Sequence, residues 1–189
     1  MALIILLILL GLIVILLTYG IIIYNGLINL KHNISKAWSN IDVLLKQRYD
    51  ELPKLVSVCE GYMQHEQAVL ENVTRARSMM DAAGSEKQVT EASNAITAAL
   101  RSLFAVVENY PDLKADRAFR QLQARVSQLE DQIADRRELY NESVNLFNIR
   151  IEQFPDVMVA SMMRLEEREL WKIDPGHRED VAMKFTPRA

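Results

Sequence analysis

Residues 3–24 read LIILLILLGLIVILLTYGIIIY, and no Lys, Arg, Asp or Glu occurs anywhere before Lys31. At the rise of an α-helix this run spans about 33 Å, which matches a hydrocarbon core of roughly 30 Å. A segment of this kind constrains everything after it, because in lipid its backbone must satisfy its own hydrogen bonds and so must be helical. A secretory signal peptide would need a basic start, a shorter apolar core and a small-residue cleavage site. Met1 and Ala2 carry no basic side chain and no A-x-A pattern follows the run, so the expectation is a retained membrane anchor. Tyr19 and Tyr24 suit the headgroup layer. Lys31 and Lys36 follow the span while no cation precedes it, which places the C-terminal side in the cytoplasm by the positive-inside rule.

All of the charge therefore lies after the anchor: 25 Asp and Glu against 22 Lys and Arg, a net charge of −3 over 189 residues. Nucleic-acid binding needs a clustered excess of cations, and this balance argues against it. One cysteine, Cys59, excludes an intramolecular disulfide and cysteine-based zinc sites.

From residue 25 to about Ala83 the apolar positions keep a helical period. Leu27, Ile34, Ile41, Leu55, Tyr62, Val69 and Ala76 fall on one seven-residue row, interrupted by Arg48. Trp38, Leu45, Leu52, Cys59 and Val73 widen it into a bundle stripe. The anchor is thus expected to run on as one helix, with Pro53 causing a kink or short break at about 50–53 because it removes a donor and crowds the preceding turn. The first full turn is placed at residues 82–85, with Gly84 as a left-handed cap and Ser85 and Gln88 at capping-box spacing. A second helix then buries Val89, Ala92, Ile96, Leu100, Leu103 and Val107 and stops before Pro111. Residues 112–116 read as a polar connection. The third helix carries Phe119, Val126, Ile133, Tyr140, Phe147 and Phe154 at seven-residue spacing, with Leu122, Leu129, Val144 and Ile151 as partners and Arg136 and Arg137 where the stripe changes side. Pro155 ends it. A short Met-rich amphipathic helix through Val157, Val159, Met162, Met163 and Leu165 follows, and Pro175-Gly176 and Pro187 predict irregular chain beyond.

The sequence accordingly predicts an all-α protein: a transmembrane helix continuing into an antiparallel up-down bundle of three long helices plus a short C-terminal helix. Residues 1–24 are the anchor, 25–155 the bundle, and 156–189 an amphipathic segment and tail.

Chemistry is sparse. The Glu-x-x-His pairs of a bundle di-metal site do not occur, and His65-Glu66 lacks the second histidine of a zinc-protease motif because position 69 is Val. His32 and His177 stand far from His65 in sequence, so no metal, and no other cofactor, is expected. Cys59 lies seven residues from Leu52 on an apolar row, which makes it a small buried hydrophobe rather than a nucleophile. The acidic residues alternate with basic ones as solvated helix surface. The expectation is a non-enzyme. Arg48 and Arg136 are the notable charges, because both occupy positions where the stripes call for apolar side chains. The favoured reading is that each carries its head to water along an apolar stem. The alternative is a buried pairing with a carboxylate such as Asp42, Glu51 or Glu138, which would set register.

The segment YNGLINLKHNISKAWSNIDVLLKQRYDELPKLVSVCEGYMQHEQAVLENVTRAR, with the later VVENYPDLKAD and ELYNESVNLFNIRIEQFP, resembles the bacterial LemA family over about residues 20–155. The resemblance implies a single-pass inner-membrane protein with a helical-bundle domain and no established enzymatic activity. It also implies a bacterial source and gene neighbourhoods shared with membrane-associated proteases. The tail DVMVASMMRLEERELWKIDPGHRED departs from the Gly- and Phe-containing stretch usual in the family. Trp38 and Pro53 match the family motif, and their structural reasons are a membrane-proximal core anchor and a kink.

These readings converge on a membrane-anchored scaffold. Its partners are expected to be a second copy of the chain, a membrane-associated protease or another membrane protein, and the bilayer itself. Candidate structural or interface residues are Trp38, Arg48, Pro53, Phe119, Arg136, Tyr140 and Phe147. The alternative is a membrane-surface module that senses or shapes the bilayer through Lys31, Lys36 and the Met-rich tail.

Overall fold

In the computed structural model, which describes residues 1–172, the apolar run is the start of a helix α1 spanning Ala2–Glu60. Protein begins to cover α1 at the very end of that run: side chains up to Ile22 are exposed, whereas Ile23 and Leu27 are buried. Of the kink or short break expected at 50–53, the break does not occur. Pro53 lies inside α1 on an exposed face, where solvent can take up the carbonyl left without a donor, and the fully buried Leu52 and Leu55 hold the helix on either side of it.

The interruption comes instead at residues 61–66, and the chain resumes as α2, Gln67–Asp81. The helix expected to reach Ala83 is therefore two helices. The turn shifts the stripe: Tyr62, on the predicted row, is exposed, while the neighbouring Met63 is fully buried and Leu70, Val73 and Ala76 continue the packed face. Ser85 caps α3, Glu86–Val107, accepting from the Gln88 backbone N at 3.3 Å, and Gln88 Oε1 accepts from Gly84 N at 2.9 Å. Gly84 does this without a positive φ, contrary to the left-handed cap expected of it. Of the six positions predicted to be buried in this helix, Val89 alone is half-buried; the other five are buried.

Residues 112–116 are more than a polar connection. Pro111 opens a one-turn helix α4, Pro111–Ala115, whose Leu113 is fully buried. Helix α5 runs over Arg117–Glu152, with Asp116 Oδ1 accepting from Phe119 N at 2.9 Å across its first turn. That bond holds the Asp116 carboxyl below its ordinary range. Phe119, Val126, Ile133, Tyr140 and Phe147 are buried as their spacing predicts, but Phe154 lies beyond the helix end and is exposed. The last helix, α6, is Asp156–Met162, shorter than expected. It buries Asp156 and Ala160 rather than a Met-rich face, and Met158 and Met162 point to solvent. Among the described residues there is no strand. Pro175-Gly176, His177 and Pro187 lie outside the described residues.

The described chain divides into two compact units, and α1 and α5 contribute to both. One comprises Met1–Arg48 with Arg125–Leu170. Within it α1 and α5 are antiparallel: Gln47 meets Arg125, Trp38 meets Tyr140, and Gly26 meets Arg150. The other comprises Tyr49–Ala124 joined by Trp171 and Lys172 of the described chain. Three tyrosine hydroxyls tie its turns, donating from Tyr49 to Asp81, from Tyr62 to Asp116 and from Tyr110 to Glu66.

Candidate functional site

Arg48 overturns the favoured reading of its sequence position. It is fully buried, and its Nη1 donates to Glu130 Oε1 on α5, 82 residues away. The register alternative had the right chemistry but the wrong carboxylates, since none of Asp42, Glu51 or Glu138 is the partner found. Burial lowers the Arg48 pKa and the Glu130 charge opposes that shift. Arg137, two turns along α5 from Glu130, feels the same centre: burial lowers its pKa, Arg48 lowers it further, and Glu130 raises it. Both guanidiniums thus lie in the field of Glu130. Arg136, the sequence candidate, is exposed instead.

The aromatic candidates fall in two places. Trp38 is half-buried and its ring lies 5.5 Å from that of buried Tyr140, tilted by 59°. Tyr140 OH reaches the Glu169 carbonyl at 3.5 Å, so this aromatic pair also touches the chain after α6. Phe147 is buried beside a shallow cleft of about 390 Å³ lined by Lys31 and residues 164–168. Phe119 and Pro53 belong to the other unit. The candidates therefore do not converge on one site.

What the sequence did not reveal is the route of the chain after α6. Arg164 turns it with φ of 52°. The Asn148 side chain then grips Arg168 twice, its Nδ2 donating to the carbonyl and its Oδ1 accepting from the backbone N, both at 2.9 Å. Three residues on, Trp171 is buried, its Nε1 donating to Asn94 Oδ1 at 3.5 Å, while Asn94 Nδ2 donates to the Lys172 carbonyl at 3.0 Å. A tryptophan in a tail rich in charge was the available signal.

Glu152, at the end of α5, lies beside Glu167 of this segment, and hydrogen bonding to that second carboxyl, with the repulsion between the two, raises the Glu152 pKa. A carboxyl raised in the folded state adds stability below its unfolded pKa and loses it as pH rises through the folded value. Residues 164–169 are therefore expected to be better protected from hydrogen exchange near pH 4 than at pH 7, after correction for intrinsic rates. Glu152→Gln should remove that difference, and an unchanged pH dependence in the variant would refute the assignment.

Reactive groups are few. Burial pushes the Cys59 thiol up to about 11, so it is a thiol and a core residue at neutral pH. A cleft of about 680 Å³ beside the 61–66 turn is lined by Glu60, Met63, Gln64, His65, Gln67, Leu70 and Glu71. Among the described residues no three His, Cys, Asp or Glu side chains gather as a metal site. Helix α1 is the one described helix long and apolar enough to cross a membrane.

A model of the LemA family matches residues 37–185. The match takes in the tail that the resemblance had set apart. Similar proteins include Protein LemA of Metamycoplasma hominis, 28% identical over 158 residues that cover 83% of this chain and 72% of that protein. They also include Magnetosome protein MamQ 2 of Paramagnetospirillum magneticum, 21% identical over 179 residues, with 81% of this chain and 66% of the relative covered. Magnetosome protein MamQ of Magnetospirillum gryphiswaldense is 20% identical over 172 residues, covering 76% of this chain and 63% of the relative.

Proposed function

The chain belongs to the LemA family, and from that premise we propose that it is a membrane-anchored, non-enzymatic scaffold whose helical part binds a second copy of itself or another membrane protein. The observation that carries this reading is a second apolar face on α5. Leu139, Leu146 and Ile149 are exposed, and at 100° per residue they centre about 140° around the helix from the buried row of Tyr140, Val144, Phe147 and Ile151. An outer row at seven- and three-residue spacing is the pattern a partner helix needs. The inner row is already used by the protein's own packing.

Other features support the same reading. Neither the family description nor the relatives' names carries a reaction, and the buried Arg48–Glu130 pair serves register rather than turnover. The apolar start of α1 supports a single pass through a bacterial inner membrane, with Lys31 and Lys36 favouring a cytoplasmic helical part. A membrane-associated protease stays among the partners this proposal covers.

Crosslinking in intact membranes at native expression, followed by mass spectrometry, tests it. Crosslinks are expected near Leu146, and Leu146→Lys should remove them while changing stability by no more than about 0.5 kcal/mol, as is usual for an exposed site. Recovery of uncrosslinked monomer alone would overturn the proposal.

A further inference from the structure

Beyond the span, the three most exposed large apolar side chains of the described residues are Phe154 at 81%, Met158 at 61% and Met162 at 85%. They are close together in the chain. Phe154 sits in the turn after α5, and Met158 and Met162 are one turn apart on α6. Their orientation is fixed by the opposite side of α6, where Asp156 and Ala160 are buried.

Their level along α1 is fixed too. Helix α5 runs antiparallel to α1 and returns toward the apolar span: Tyr140 lies against Trp38, and the Arg150 guanidinium stands 3.5 Å from where a Cβ on Gly26 would be. Arg150 Nε donates in turn to Asp156 Oδ2 at the start of α6. Gly26 is two residues past Tyr24, the end of the apolar run, so α6 is tied to the height at which α1 leaves the hydrocarbon.

We propose that Phe154, Met158 and Met162 insert into the membrane interface beside the end of the span, so that the protein grips the bilayer at two points. This rests on the reading of residues 3–24 as a membrane anchor. Two arguments select lipid over a second copy of the chain. Three side chains, one in a turn and two on a seven-residue helix, make a patch far smaller than the roughly 800 Å² per partner of a stable protein interface. Once α1 is inserted, lipid is also present at that height at high effective concentration. Methionine and phenylalanine suit a fluid, apolar partner that need not match a fixed shape. The neighbouring charges are mixed, with Lys31, Arg164 and Arg168 beside Glu166 and Glu167, so binding is carried by the apolar row rather than by anionic headgroups.

The test uses the full chain reconstituted in phosphatidylcholine–phosphatidylglycerol vesicles, with a polarity-sensitive fluorophore attached in turn at Met158→Cys, Met162→Cys, Val43→Cys and Leu12→Cys, Val43 being exposed on α1 away from both proposed faces. Native Cys59 is buried and stays unlabelled at pH 7. Labels at 158 and 162 should be blue-shifted and quenched several-fold more by nitroxide lipid than by aqueous iodide, with the reverse at 43. Iodide quenching at 158 and 162 equal to that at 43, with lipid quenching at 12 intact, would overturn the second grip and leave the anchor standing. Loss of lipid quenching at 12 as well would overturn the anchor reading on which it rests. Lipid shielding at 158 and 162 that disappears when the protein is diluted into excess lipid would overturn the proposal in favour of a second copy.

Discussion

Replacing Glu130 with alanine is expected to cost about 3 kcal/mol, the lower end of the range for breaking a buried ion pair. Arg48 is fully buried, and a guanidinium keeps its proton at any ordinary pH, so the charge stays in the interior when its carboxylate is removed. Arg137 makes matters worse, because Glu130 offsets the repulsion it feels from Arg48. Glu130 itself is 24% exposed, and the water that reaches it keeps the loss toward the lower bound. In a chain of 189 residues that loss corresponds to a fall in Tm of about 10 °C. The double variant Arg48→Met, Glu130→Leu should recover most of it, since similar volume without buried charge is commonly neutral or better. Thermal melts of the solubilised protein provide the measurement. A Glu130→Ala variant within 1 kcal/mol of the parent would show that the pair does not hold the helices in register.

The helical period was legible wherever a helix runs uninterrupted. On α5, Phe119 through Phe147 keep one face because nothing between Arg117 and Glu152 resets the phase. It failed where a turn is too weakly marked to stop the count. Pro53 carries the stronger breaking signal, yet tertiary packing around Leu52 and Leu55 overrides it, while the chain turns at Gly61, whose single glycine predicts little. Across that turn the face moves by one residue, with Met63 and Leu70 buried where the period predicts Tyr62 and Val69, before Val73 and Ala76 fall where it expects them. Leu113 was overlooked for a different reason: one apolar residue in a polar stretch has no period to detect.

The Arg48 centre shows what local reasoning cannot supply. That an arginine stood on an apolar row was visible, and so was the choice between a path to water and a buried partner. The decision depended on both sides of the row being closed, with Ile41, Leu45, Leu52 and Leu55 all buried around it. The partner depended on the register of α1 against α5, a relation between residues 82 positions apart. Carboxylates near Arg48 in sequence, or near Arg136 on α5, were the natural guesses. The same register puts Arg137 toward the centre and Arg136 in solvent.

Trp171→Ala should likewise cost about 3 kcal/mol, the usual range for emptying a buried aromatic site beginning there. The ring is 3% exposed in a unit otherwise built from Tyr49–Ala124, so a residue from the far end of the chain completes that core. Two separate contributions can be resolved. Trp171→Phe keeps most of the apolar contact and forfeits the indole bond to Asn94, an expected loss of about 1 kcal/mol plus whatever volume is left unfilled. Asn94→Ala removes that bond and the one to the Lys172 carbonyl while leaving the ring in place. If burial dominates, Asn94→Ala is milder than Trp171→Ala, and hydrogen exchange should rise along α3 only in the latter. Equal losses in the two variants would instead make Asn94 the anchor and the ring incidental. Either way, a truncation meant to probe the tail must end after Trp171, because a chain cut before it loses part of its core along with the segment under test.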